Sequence, residues 1–296
     1  MLLDRPTGPD RLKYDPWWLW AVNNLDLLLK PKHSFRTERG KKAGLMKLLL
    51  SARSQYLTGQ ASGAVDLAHV IDLVEDLDFI KTRDNNLLSE YASSLTSAKA
   101  QDYSYLTGIW FEVRMAAMFL KTGLQFTRPD PPDFLVEIDS TTIGVECHAP
   151  RALPGADVEK RIKVAVEKKG KKYKGHAWTQ GSTALLLDAT WLVRASGREV
   201  VQGQTALGAE FLAGLLEALR TTRYGLVIAF WFGHSIGQQA DSRAVSCVNG
   251  PVDISDPALV SFRSCLLAHF RLEDSEPIRL PNLPYDSGSN ATQPAK

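Results

Sequence analysis

Cysteine is scarce in this chain of 296 residues: only Cys147, Cys247 and Cys265 are present. An odd number without clustered spacing does not read as a cysteine zinc site, and it predicts a reducing, cytoplasmic setting. Long apolar runs are also missing. The longest, Trp17 to Val22 and Leu226 to Phe232, fall far short of the ~18 residues a membrane span needs, so no membrane partner is expected. Met1-Leu2-Leu3 meets Asp4, Arg5 and Pro6 at once, which does not read as a secretory signal. Charge of one sign is lacking too, with 35 Lys+Arg against 33 Asp+Glu and a net charge of +2. Total charge therefore selects no partner. The chain contains no Gly-x-x-x-x-Gly-Lys-[Ser/Thr] phosphate loop, no Gly-x-Ser-x-Gly elbow and no His-Glu-x-x-His helix. These absences argue against an NTPase, an α/β-hydrolase esterase and a zincin. What remains is a globular composition, 44% hydrophobic and 23% charged, enough for one large or two ordinary domains.

Patterning divides the chain into three regions. Residues 1–100 read as helical, with an apolar stretch from Trp17 to Leu29 and helical spacing over Leu45 to Leu57 and Val65 to Ile80. Gly59, Ser62 and Gly63 mark a turn between the last two. Residues 101–235 change character. Leu106, Ile109, Trp110, Val113, Ala116, Ala117 and Leu120 recur at steps of three and four before a stop at Gly123, which predicts a helix. A short strand at Leu124 to Thr127 precedes Pro129-Asp130-Pro131-Pro132. Asp133 to Ile138 and Thr142 to Cys147 then flank Asp139-Ser140 as a hairpin. Val158 to Tyr173 reads as a basic helix with Ile162, Val166 and Tyr173 buried. Thr183 to Ala189 and Tyr224 to Phe232 read as buried strands, with a helix at Leu207 to Leu219 between them. The order predicts an α/β fold whose mixed sheet is flanked by helices. Residues 236–296 are expected to be an extension ending in a tail beyond about Arg271.

Three acids and a histidine can carry chemistry. Asp133 begins one hairpin strand and Glu146 lies near the end of its partner, so the two carboxylates can converge at one edge of the sheet. Converging carboxylates repel unless a cation lies between them, and a hard divalent ion with oxygen ligands is the usual solution. Glu112, next to the apolar position Val113, borders the buried face of its helix and can join the same site. His148 follows Glu146 by two residues and shares its strand face, where it can hold or deprotonate an attacking water. Singly, each residue has an ordinary reading as a solvated acid or a hydrogen-bonded structural histidine. Between Asp157 and Lys174, eight basic residues outnumber three acidic ones. That block can attract phosphate or be a solvated helix face. Lys30 to Lys42 is also basic. His176 beside Trp178, and His234 after a buried strand, are weaker candidates.

The helix, then Pro132-Asp133, then Glu146-Cys147-His148, resembles the PD-(D/E)XK nuclease superfamily, the restriction-endonuclease-like fold with an αβββαβ core. Gly108, Glu112, Ala116, Leu120 and Gly123 are spaced as in the first helix of many members, and the resemblance covers about Ser104 to Phe232. It implies that Asp133 and Glu146 bind Mg²⁺ (or Mn²⁺) with help from the Cys147 carbonyl, and that Glu112 assists the metal. It implies equally that the basic helix meets nucleic acid through Arg161, Lys168 and Lys172. One position departs from the pattern: the family expects Lys where this chain has His148. Histidine, with an unperturbed pKa of about 6.5, is only partly charged at neutral pH.

The expected function is therefore metal-dependent hydrolysis of a phosphodiester bond, in DNA rather than RNA. The competing expectation is a catalytically impaired module of the same fold that binds nucleic acid or a protein partner. A third is that the acids are scattered and the resemblance accidental. Trp17, Trp18 and Trp20 cannot share one helix face, which leaves a homodimer interface open.

Overall fold

Helical spacing in the first hundred residues becomes four helices in the computed structural model: α1 (Tyr14–Leu29), α2 (Gly44–Leu57), α3 (Ala61–Arg83) and α4 (Asn85–Thr96). The structure describes residues 14–29, 44–59, 61–129, 132–150, 155, 157–172, 183–195, 200–201, 204–205, 214, 217, 224–236, 241–253 and 255–270. One residue separates α3 from α4. It is Asp84, whose carboxylate accepts from the amides of Asn86 and Leu87 and so caps α4. The three tryptophans of α1 are used within the chain. Trp18 Nε1 donates to the Leu49 carbonyl at 3.0 Å, and Trp17 meets Trp20 edge to face at 5.6 Å.

Helix α5 (Tyr103–Thr122) begins at an Asp102 cap and ends at Gly123, whose φ of 77° is the left-handed conformation that stops a helix. Strands β1 (Gln125–Thr127), β2 (Phe134–Ile138) and β3 (Thr141–His148) form an antiparallel meander. Its turn is the expected one. Asp139 and Ser140 have φ of 48° and 63°, and positive values at both positions suit a two-residue hairpin to the twist of its strands. Helix α6 (Val158–Lys172) then leads to β4 (Thr183–Asp188), parallel to β3. Helix α7 (Thr190–Ala195) and a two-residue hairpin, β5 (Val200–Val201) with β6 (Gln204–Thr205), precede β7 (Leu226–Ile236). Strand β7 is parallel to β4, and β8 (Asp241–Val252) closes the sheet antiparallel to β7. The order across the mixed sheet is β1-β2-β3-β4-β7-β8, an α/β architecture as the patterning predicted.

Burial explains the layers. Phe134, Val136, Val145, Leu186, Ile228 and Phe230 point to one face and join the apolar side of α5 in a single core. Phe119 lies at its centre, edge to face with Phe134 at 5.2 Å and 6.0 Å from Phe262 of α8 (Pro257–His269). Alternate residues Leu185, Leu187, Val227 and Ala229 are equally buried, so the centre of the sheet is covered on both sides.

Two of the expected boundaries look different in three dimensions. Leu73, Val74 and Leu77 of α3 and Tyr91 of α4 belong to the same core as Val113 and Phe230. The first hundred residues therefore pack into the sheet layer. The segment taken as an extension also contributes β8 and α8. Asp241 to Val252 lacks apolar alternation and contains Pro251, features that fit an edge strand. The basic stretch at 30–42, Tyr173, His176, Trp178, most of 207–219 and the tail beyond 271 lie outside the described residues. Among the described residues, no helix is long and apolar enough to cross a membrane.

Phe119→Ala is expected to lower the free energy of unfolding by about 3–5 kcal/mol, read as a shift of the urea midpoint with an unchanged slope.

Candidate active site

The β2–β3 register positions the two principal acids. Phe134 pairs with Val145, so Asp133, the residue before Phe134, and Glu146, the residue after Val145, lie at the same end of the β2–β3 pair. Where β2 ends, the Asp133 side chain continues the ladder, its Oδ2 accepting from the Cys147 amide at 2.8 Å. This bond fixes one carboxylate oxygen. Asp133 is half-buried, whereas Glu146 is 0% exposed. Both negative charges reach one phenol, that of Tyr224 just before β7. Burial raises its pKa above the usual value first, and Glu146 and Asp133 raise it further.

His148 lies two residues beyond Glu146 on the same side of β3 and is half-buried. Cys147 faces the opposite, core side with 5% exposure, so its carbonyl, not its thiol, is the group that can serve a ligand at the edge. All three cysteines are free, and burial pushes the Cys247 thiol up to about 11, which keeps it protonated at neutral pH.

Glu112 is engaged elsewhere. Its Oε2 meets Arg128 Nη2 at 2.7 Å, with the two side chains 15% and 22% exposed, and Arg128 also reaches Glu90 of α4 at 3.2 Å. The guanidinium lies 4.4 Å from the centre of the Tyr91 ring, and Tyr91 Oη donates to the Glu112 carbonyl at 3.3 Å. Burial works against the Arg128 charge, but Tyr91, Glu112 and Glu90 together raise its pKa. Tyr91 ties this group to the acids. Burial lifts its phenol well above the usual value, and Glu112, Cys147 and Asp133 add to that rise. Arg128, Tyr91 and Tyr224 carry no motif signal. The only pointer in the sequence is that Arg128 stands at the entrance to Pro129-Asp130-Pro131-Pro132.

Among the described residues, no group of three or more His, Cys, Asp or Glu side chains is arranged to hold a metal ion. Glu112 and His148 thus do not close with Asp133 and Glu146 into one ligand cluster. A magnesium ion does not require that. It binds through one or two carboxylates and keeps several waters. Facing carboxylates beside a backbone carbonyl are a hard-oxygen donor set that suits it.

The basic helix α6 starts at Asp157, whose side chain accepts from the Lys160 amide at 3.0 Å. Val158, Ile162, Ala165 and Val166 are buried, Arg161 is half-buried, and Lys160, Lys163 and Lys168 are exposed. Arg161 and Lys168, seven residues apart, lie on one side of the helix. Lys172 is in the last turn, and its side chain lies outside the described residues.

Arg128→Met removes the guanidinium from the Glu112 carboxylate and is expected to cost about 3 kcal/mol. Adding Glu112→Gln should return part of that loss in a double-mutant cycle read by urea unfolding, and strictly additive effects would show that the pair is not coupled. Compared with known proteins, the chain matches no family model, no curated protein and no solved structure.

Proposed function

We propose that the chain is a metal-dependent nuclease that hydrolyses phosphodiester bonds, in DNA rather than RNA, on a restriction-endonuclease-like core. The observation that carries this reading is the juxtaposition of Asp133 and Glu146 across the β2–β3 pair, with the Cys147 amide orienting one of them. The surrounding order supports it: α5, three antiparallel strands, α6 and β4 follow the αβββαβ sequence of the PD-(D/E)XK superfamily. Asp133, Glu146 and the Cys147 carbonyl would hold Mg²⁺ or Mn²⁺, which supplies charge neutralisation at the phosphate and activation of a water. The protein's own share is positional. Burial of Glu146 keeps its carboxylate in a fixed, water-poor setting, where a charge acts more strongly than in bulk solvent. His148 stands on the same strand face, where its imidazole can accept a proton from water or donate to a phosphate oxygen. The exposed lysines of α6 and the half-buried Arg161 give a phosphate backbone something to run along.

Asp133→Asn keeps an oxygen for the Cys147 amide but removes the charge, and Glu146→Gln is nearly isosteric. Each is expected to reduce cleavage of plasmid DNA by more than the ~10–100-fold lost when partners of metal ligands are removed, with the unfolding midpoint little changed. Absence of cleavage of DNA and RNA by the wild-type chain, with Mg²⁺ or Mn²⁺ from pH 6 to 9, counts against the reading. The pH range matters because His148 has to be in the right protonation state.

The second reading is a catalytically impaired module of the same fold that binds nucleic acid. Two observations favour it: histidine occupies the position where the family has lysine, and Arg128 already neutralises Glu112. His148→Lys separates the readings. Cleavage that appears or rises in this variant marks a site damaged at that one position. Metal-independent binding that weakens with salt, without cleavage in either form, marks a binding module.

A further inference from the structure

At the carboxyl end of β4, residues of α3, α5, β4 and α7 surround a cavity of about 10 Å³. That is room for about one water. Arg114, Asp188, Thr190 and His69 give it polar walls, and aromatic side chains, Trp110 and Trp191 among them, complete it. Both charged groups are buried, the Arg114 side chain 10% exposed and Asp188 6%. Each is anchored to a different element. Arg114 donates from Nη2 to Asp72 of α3 at 3.1 Å, and its Nε lies 3.8 Å from Asp76. Asp188 accepts from the Thr190 amide on Oδ1 at 2.9 Å. Thr190 in turn accepts from the Phe232 amide of β7 on Oγ1 at 2.9 Å. Among the described residues, no hydrogen bond or ion pair joins Arg114 to Asp188 directly, although the two line the same small space.

A guanidinium has five N–H donors and a carboxylate about four acceptor sites. The bonds above leave capacity on both groups, and burial makes unused capacity costly. A buried water is retained where two to four polar partners converge on it. We propose that the cavity is a binding site for a single ordered water that accepts from Arg114 and donates to Asp188. A wall carrying one charge of each sign favours a neutral occupant over an ion, and the volume admits nothing larger than water. The water closes a continuous chain of hydrogen bonds from Asp72 of α3 through Arg114, Asp188 and Thr190 to the Phe232 amide of β7. It thus joins the helical layer to the sheet by polar contacts as well as apolar ones. Electrostatics agree. Burial raises the Asp188 carboxyl above its ordinary value, against Thr190 and Arg114, and a water donating to the carboxylate offsets that desolvation. The site does not depend on the activity proposed for Asp133 and Glu146.

The test is a high-resolution crystal structure of the full chain, joined to a count of long-lived waters in solution by water-oxygen magnetic relaxation dispersion. Electron density for a water within hydrogen-bond distance of both Arg114 and Asp188 is expected. A dry cavity, a water that touches only one of the two, or a direct Arg114–Asp188 ion pair overturns the proposal. In solution, Asp188→Asn keeps an oxygen for the water and should retain the wild-type count. Asp188→Leu is similar in size but has no acceptor, and it should lose one long-lived water. Equal counts in wild type and Asp188→Leu overturn the proposal. The wild-type crystal structure needs no variant, and it decides alone should Asp188→Leu fail to fold.

Discussion

The two-residue turn at Asp139–Ser140 governs more of this molecule than its size suggests. With positive φ at both positions, it fixes which residues of β2 and β3 stand opposite one another, from Ile138 and Thr141 to Phe134 and Val145. A slip of one residue would turn Phe134 and Val136 out of the core and shift Asp133 relative to Glu146. The packing energy of the apolar side and the placement of the acids thus rest on the same register. Neither can be changed alone.

The structure handles buried negative charge in three ways. Glu112 receives a guanidinium that is itself sandwiched against Tyr91. Asp133 receives a backbone amide where a strand has run out. The α3 aspartates receive a shared set of cations from α5 and α7. The first and third solutions neutralise charge with side chains, whereas the amide at Asp133 orients a carboxylate without cancelling it.

Much of the central architecture was legible in the sequence because each signal was local. Helix α5 announces itself by apolar spacing and Gly123, the hairpin by Asp139-Ser140 between apolar runs, and β4 by the run Ala184 to Leu187. Strand β8 was not legible, since Ser242, Arg243, Ser246 and Asn249 show no apolar alternation and their pairing is supplied by β7. The ion pairs of the α3 acids were not legible for the same reason. Nothing local reveals that α5 and α7 cover that side with arginines. The expectation that Asp133 and Glu146 converge rested on strand order, whereas the capture of Glu112 by Arg128 depends on how α4 packs, which spacing does not encode.

The single-residue junction at Asp84 has a consequence for how the chain can be divided. It makes α3 and α4 almost one rigid piece: α3 carries the acids gripped by the sheet layer, and α4 carries the Glu90 and Tyr91 that grip Arg128. Cutting the chain at residue 100 would strip the apolar cover from Val113 and Phe230 and release Arg128 from Glu90 and Tyr91. The minimal folding unit therefore has to include α3 and α4, and a fragment starting at α5 would expose sticky aromatic surface.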